Sequence, residues 1–246
     1  PTMTMSRSDN KEDAAGDPVN DWQQGDFDSD AGLDVRWGIT QDMVLNATIN
    51  PDFSQIEADA AQLDINNTFS LFFAERRPFF LDGASYFDAE RFNLVHTRNI
   101  ADPDYGVKLT GKTGQHSYGV MMANDTQTTF LLPGDQGSSV VGLHHKDDPD
   151  STDFASDIAI ASYKMDVGER NTVGALVTSR RGDDYDNTVV SLDGNYWFSD
   201  EDKLSYQLAS SQTDNPAQLQ HPDDNDDELE LAASQSDHAL SIGYSH

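Results

Sequence analysis

Runs of about ten residues alternate apolar and polar side chains, and tight Gly/Asp turns take turns with long polar loops between them. Together these features predict an all-β fold: an antiparallel up-and-down β-barrel of the outer-membrane type, present in part. No stretch approaches the ~20 consecutive apolar residues that a membrane helix needs, so a helical membrane protein is excluded. A mean hydropathy of −0.63 is neutral, because lipid-facing residues of a barrel alternate with polar lumen residues.

Residues 1–31 scatter Asp9, Glu12, Asp13, Asp17, Asp21, Asp26, Asp28 and Asp30 among Gly and Ser with no apolar period, and are expected to be an acidic loop or linker. Residues 32–246 are expected to form the barrel fragment. Leu33, Val35, Trp37 and Ile39 alternate with Asp34, Arg36 and Gly38, and a run over residues 44–49 returns as the second arm of a hairpin. Residues 50–92 break that rhythm with the densest mixture of charge and aromatics in the chain, and are expected to be an irregular insertion packed on the inner wall. Hairpins resume over residues 105–246. Residues 105–112 turn at Thr113-Gly114-Gln115 into 116–124, and 138–145 follow a Pro133-Gly134 loop.

The last third is the clearest. Residues 157–166 reverse at 167–171 into 172–180, and 188–198 reverse at 199–202 into 203–212. Val190, Leu192, Gly194, Tyr196 and Phe198 fall on one face, and Ser191, Asp193 and Asn195 on the other, with Trp197 interrupting the polar row. The stretches 182–186 and 213–237 are expected to be long exterior loops. Tyr163 and the Tyr196-Trp197-Phe198 group sit near strand ends, as an interfacial girdle would require. The ends of the chain read as cuts from something longer.

Lys and Arg number 15 against 44 Asp and Glu, a formal charge of −29, which repels nucleic acid. The absence of cysteine removes disulfide frameworks, thiolate metal sites and cysteine nucleophiles. There is no phosphate-binding Gly loop, no Gly-x-Ser-x-Gly elbow and no His-Glu-x-x-His helix.

The segment Asn50-Pro51-Asp52-Phe53-Ser54-Gln55-Ile56-Glu57-Ala58-Asp59, with Leu71-Phe72-Phe73-Ala74-Glu75-Arg76-Arg77-Pro78-Phe79-Phe80-Leu81-Asp82-Gly83, resembles the signature of a bacterial outer-membrane barrel family of unknown function. That family usually follows an amino-terminal carbohydrate-binding domain of the family-nine type. The resemblance extends to residues 33–40 and 97–111 and so covers roughly 32–120. It departs at Ala74, where the family commonly has Pro, and at Asp82, where it commonly has Glu. The resemblance implies residence in the outer membrane of a Gram-negative bacterium, lipid as a partner, and a link to carbohydrate that belongs to the preceding domain rather than to these residues.

Read from the residues themselves, Asp52, Gln55, Glu57, Asp59, Glu75, Arg76, Arg77 and Asp82 make a charged cluster suited to bidentate pairing. Such a cluster would tie an inward-folded segment to the wall or line a constriction. Two other classes stay open. Glu57 and Glu75 would be the carboxylate pair of a surface or secreted glycan hydrolase, if about 5 to 9.5 Å apart. A soluble acidic β-sandwich acting in adhesion would use the aromatics as core. No catalysis is expected within these residues. Calcium is the single cofactor left open, through Asp147, Asp148 and Asp150 or Asp223, Asp224 and Asp226, although neither loop has EF-hand spacing. His144 and His145 are adjacent strand residues and point to opposite faces, so they cannot chelate one ion together.

Overall fold

The structure is a computed structural model that describes residues 2–7, 27–51, 75–100, 102–126, 128–134, 137–142, 154–216 and 232–246. Twelve strands are described: β1 (Thr2–Arg7), β2 (Phe27–Gly38), β3 (Met43–Ile49), β4 (Tyr105–Thr113), β5 (His116–Asp125), β6 (Thr129–Gly134), β7 (Gly137–Gly142), β8 (Ser156–Val167), β9 (Asn171–Gly182), β10 (Tyr185–Trp197), β11 (Lys203–Asp214) and β12 (Ser234–Ser245). Ten of them form one antiparallel sheet in the order β1-β2-β3-β4-β5-β8-β9-β10-β11-β12. Every neighbour in that row is also the next sheet strand in sequence, the signature of an up-and-down meander. Among the described residues no ladder joins β12 back to β1, so the sheet is open. No described helix is long and apolar enough to cross a membrane.

Three elements differ from the sequence reading. The run Thr2-Met3-Thr4-Met5 alternates at period two, and β1 pairs with residues 27–32, all but Gly32 within the stretch 1–31 expected to be loop or linker. The stretch 182–186 is no long loop: Tyr185 pairs directly with Gly182, and Asp184 takes a positive φ of 57° that closes a two-residue turn. Finally, β6 and β7 pair only with each other, as a separate hairpin inserted between β5 and β8.

Connections divide between the two ends of the sheet. Residues 39–42, 114–115, 168–170 and 198–202 make short turns at one end. The strand ends Ile49, Asp125 and Asp214, after which the chain leaves the sheet, lie at the other end together with the Asp183-Asp184 turn.

The two faces of the sheet differ in what they expose. On one face Leu33, Val35, Trp37, Ile49, Val107, Val120, Met122, Val177, Val190, Leu192, Leu208, Leu240 and Ile242 are exposed, Leu192 at 52% and Leu240 at 65%. The register puts these in continuous cross-strand rows, such as Val177, Val190 and Ser210, or Leu192, Leu208 and Leu240. On the other face Asn46, Thr48, Lys108, Thr110, Ser162, Ser191, Asp193, Ser205 and Gln207 are buried.

What buries the polar face is the segment 75–100. Pro78 starts the one-turn helix α1 (Pro78–Leu81), where its missing N–H costs nothing. Gly83 then reverses the chain at φ 67° into the 3₁₀ turn Ala84–Phe87, and a second 3₁₀ turn follows at Thr97–Asn99. Phe79, Phe80, Phe87 and Ile100 of this segment form a small apolar cluster with Met121, Ile158 and Ile160 of β5 and β8. Two glycines of β4 and β5 make room for it. A Cβ on Gly106 would meet the Phe79 ring at 2.8 Å, and one on Gly119 would meet Phe87 at 2.9 Å.

Candidate functional site

The site is the polar face of the sheet together with the segment that crosses it. Glu75 and Arg77 make its first fixed point. The Glu75 carboxylate accepts hydrogen bonds from the Arg76 and Arg77 backbone N–H groups (3.0 Å each), from Arg77 Nε and Nη2 (2.8 Å each), and from Thr97 Oγ1 (2.6 Å). Arg77 also donates to the carbonyls of Ile100 and Thr97, both at 2.6 Å, and stacks 4.1 Å above the Phe80 ring centroid. Burial pushes the Glu75 carboxyl up, but the Arg77 and Thr97 hydrogen bonds and the Arg77 charge outweigh it and hold it at about 2, against an ordinary 4.5. A carboxylate so engaged stays ionised at neutral pH and has no proton to give, so it is unsuited to general-acid work. Its geometry is that of a structural ion, closing the segment on itself through a bidentate pair.

The second fixed point is Asp82. Its Oδ2 accepts from Arg36 Nε of β2 and from Asn46 Nδ2 of β3, both at 2.9 Å. The Arg36 hydrogen bond, assisted by Asn46, holds the Asp82 carboxyl below its usual range. Lys108 of β4, 1% exposed, donates to the backbone carbonyls of Phe79 and Asp82. It thereby caps carbonyl groups at the end of α1, as a cation there should.

The third fixed point lies on the far strands. Gln207 of β11 is fully buried, and its Oε1 accepts from the backbone N–H groups of Arg91 (2.8 Å) and Phe92 (2.5 Å). Its Nε2 donates to Ser191 Oγ (3.1 Å) and to the Phe92 carbonyl (3.3 Å). Arg91 Nε reaches Ser241 of β12 at 3.1 Å. A further network closes the rim at the end of β5: Arg180 binds the buried Asp125 carboxylate, Ser156 Oγ (3.0 Å) and the Asn99 carbonyl (3.0 Å).

Two hollows flank the segment. One, about 150 Å³, is lined by Glu75, Phe80, Phe87, His96, Arg98 and Met121 among others. The other, about 320 Å³, is lined by Arg36, Gln41, Asp42, Asp82, Tyr86, Thr110 and Lys112 among others. Burial lowers the affinity of the His96 ring for a proton, against the opposing charge of Glu75.

Of the charged cluster expected from sequence, Glu75 and Arg77 are brought together, while Arg76 is exposed and meets Glu75 through its backbone alone. Asp82 pairs outside the cluster, with Arg36. Asp52, Gln55, Glu57 and Asp59 lie outside the described residues, as do His144, His145, Asp147, Asp148, Asp150, Asp223, Asp224 and Asp226. Among the described residues no group of three or more His, Asp or Glu side chains could hold a metal ion. Sequence reasoning missed Lys108, Gln207, Asp125 and Arg180. Two of these carried a signal: Lys108 stands between Val107 and Leu109, and Gln207 between Tyr206 and Leu208, each at the inward position of an alternating strand.

Comparison with known proteins adds three findings. Residues 17–128 match the model of a domain of unknown function, DUF5916. That span takes in the stretch 32–120 on which the resemblance to an outer-membrane barrel family rests. No curated protein matches the chain. Among solved structures, the chain is similar to OmpTdeltaL8, a loop L8 deletion mutant of OmpT, an outer membrane protein of Vibrio cholerae. The two are 9% identical, the alignment covers 86% of this chain and 80% of that one, and the TM-score is 0.33.

Proposed function

We propose that this chain is part of an outer-membrane β-barrel of a Gram-negative bacterium, with the apolar face of the sheet against lipid and residues 75–100 packed inside the lumen as a partial plug. The observation that carries this reading is the reversal of the two faces. Large apolar side chains line the uncovered face, while Lys108, Asp193 and Gln207 are buried on the opposite one. In water each exposed apolar Å² costs roughly 25 cal/mol. Against lipid tails that cost disappears.

Two further features support it. The twelve-residue strands β8, β9 and β11 are roughly 40 Å long and would span roughly 30 Å at barrel tilt, the thickness of a hydrocarbon core. Trp37, Tyr118, Tyr163, Tyr196, Tyr206 and Tyr244 all belong to the apolar face within a few residues of the short turns, and Phe198 stacks with Tyr244 at 6.2 Å. Amphipathic rings in one such band suit the membrane interface. In this orientation the short turns are periplasmic and the opposite end of the sheet is exterior.

With the lumen part-filled, the role that fits is slow passage or surface capture of a small polar solute, carbohydrate being the class to try first. The test is to fractionate Gram-negative cells that make the full-length protein and compare its gel migration with and without heating. Outer-membrane residence with heat-modifiable migration supports the proposal. A protein that stays soluble without detergent overturns it in favour of an adhesion module.

A further inference from the structure

We infer that residues 82–92 act as a strap whose length sets the curvature of the sheet. The strap has a station at each end and one in the middle. Asp82 is held over β3 and β4 by Asn46 and Lys108, Phe87 sits on Gly119 of β5, and the Arg91 and Phe92 backbone is held over β11 by Gln207. It therefore crosses the sheet from near one edge to near the other.

The backbone at Asp82 and Gly83 lies over Lys108 and Thr110 of β4, and from β4 to β11 the order β4-β5-β8-β9-β10-β11 has five inter-strand steps, which in a flat sheet separate the two strands by roughly 24 Å. The strap takes nine residue steps from Asp82 to Arg91, and four of its residues are wound into the 3₁₀ turn Ala84–Phe87. At ~2 Å per wound residue and ~3.4 Å for the rest, its contour is at most roughly 25 Å. The left-handed turn at Gly83 shortens it further. Lys108 and Gln207 are buried on the same face of the sheet, so a strap with no slack over a flat sheet reaches both stations when the sheet curls toward it. Strand pairing fixes register and leaves curvature soft; the strap removes that freedom. A meander held in this way presents its two edges toward each other, which is the geometry that closure of a sheet requires.

The strap acts on the sheet whether or not lipid surrounds it, and a single distance reports its effect. The chain has no cysteine, so a pair of spin labels at Ala47→Cys and Ser210→Cys, on the apolar face of β3 and β11, reports their separation by pulsed electron resonance in detergent. Lengthening the strap by three Gly/Ser residues between Asp88 and Arg91 is expected to increase the mean distance by on the order of one strand spacing, ~5 Å. The same insertion in the turn at residues 199–202 is expected to leave it unchanged. Should the lengthened protein not fold, a protease site introduced between Asp88 and Ala89 and cut after folding decides the matter. A wider or broadened distance on cutting upholds the strap. An unchanged distance after lengthening, or after cutting, overturns it.

Discussion

The side-chain amide of Gln207 holds the backbone of Phe92, 115 residues earlier, on both sides: Oε1 accepts the Phe92 N–H at 2.5 Å and Nε2 donates to the Phe92 carbonyl at 3.3 Å. An amide is the side chain that can do both, since it carries an acceptor and a donor on one plane. Around this contact the segment 82–92 and the far strands of the sheet are tied into one body.

Replacing Gln207 with Ala leaves the Arg91 and Phe92 N–H groups without their acceptor and opens a hole beside Ser191. The expected loss is roughly 2 to 3 kcal/mol of unfolding free energy, measured by denaturant titration in detergent. Ser191→Ala removes one neutral partner and should cost less than about 1 kcal/mol. Equal losses in the two variants would contradict the clamp.

Gly119→Val should act through Phe87. Even a Cβ there meets the ring at 2.9 Å, so the larger side chain must displace the segment, at roughly 1 to 3 kcal/mol. Gly114 is the comparison, because nothing lies within 4 Å of its Cβ position and only its positive φ of 59° resists substitution. Gly114→Ala is expected to cost about 1 kcal/mol. Limited proteolysis within residues 82–92 separates the two, with faster cutting expected in the Gly119 variant alone.

Acid should release the Glu75 fixed point. Its folded-state value of about 2 lies below its ordinary 4.5, so its contribution is fully present above about pH 4.5 and is lost as pH falls toward 2. At about 1.4 kcal/mol per unit this amounts to about 3 kcal/mol at most. Asp82, also lowered, acts with the same sign. Unfolding free energies of the wild type and Glu75→Gln should differ by a constant amount above pH 4.5 and converge below it. A difference that persists unchanged at pH 2 would show that the loss has another origin.

How much of this was legible beforehand follows the range of the interactions. Strands β8 to β11 and the β4–β5 hairpin were readable to within a few residues, because alternation is a local signal and Gly or Asp punctuates each turn. The two-residue turn at Asp183-Asp184 reads from sequence as a loop, since an acidic run looks the same whether it is long and solvated or tightly closed. Glu75 and Arg77 stood out because both partners lie in one short window. Asp82 falls in that window by sequence, yet its partner Arg36 lies 46 residues back on β2. Gln207 gave no sign of holding Arg91 and Phe92, since nothing local links β11 to the segment. Its inward position was readable; its partner was not.

Charge on the apolar face should be poorly tolerated. Leu192→Arg, in the middle of β10, is expected to cost roughly 2 to 4 kcal/mol in a bilayer and to lower the heat-modifiable fraction. Ser236→Arg, near the end of β12, should cost about 1 kcal/mol or less. In a protein whose apolar face met water, both arginines would be nearly neutral.

The measurement that bears most directly on the reversed faces is a single-cysteine nitroxide scan of residues 190–196 in reconstituted bilayers, made clean by the lack of native cysteine. Collision rates with oxygen, which concentrates in lipid, and with a water-soluble nickel chelate would be recorded at each position. The expected result is oxygen access that peaks at 190, 192, 194 and 196 and falls at 191, 193 and 195, with little nickel access at the peaks. Nickel access throughout, or no period of two, would contradict a lipid-facing apolar wall.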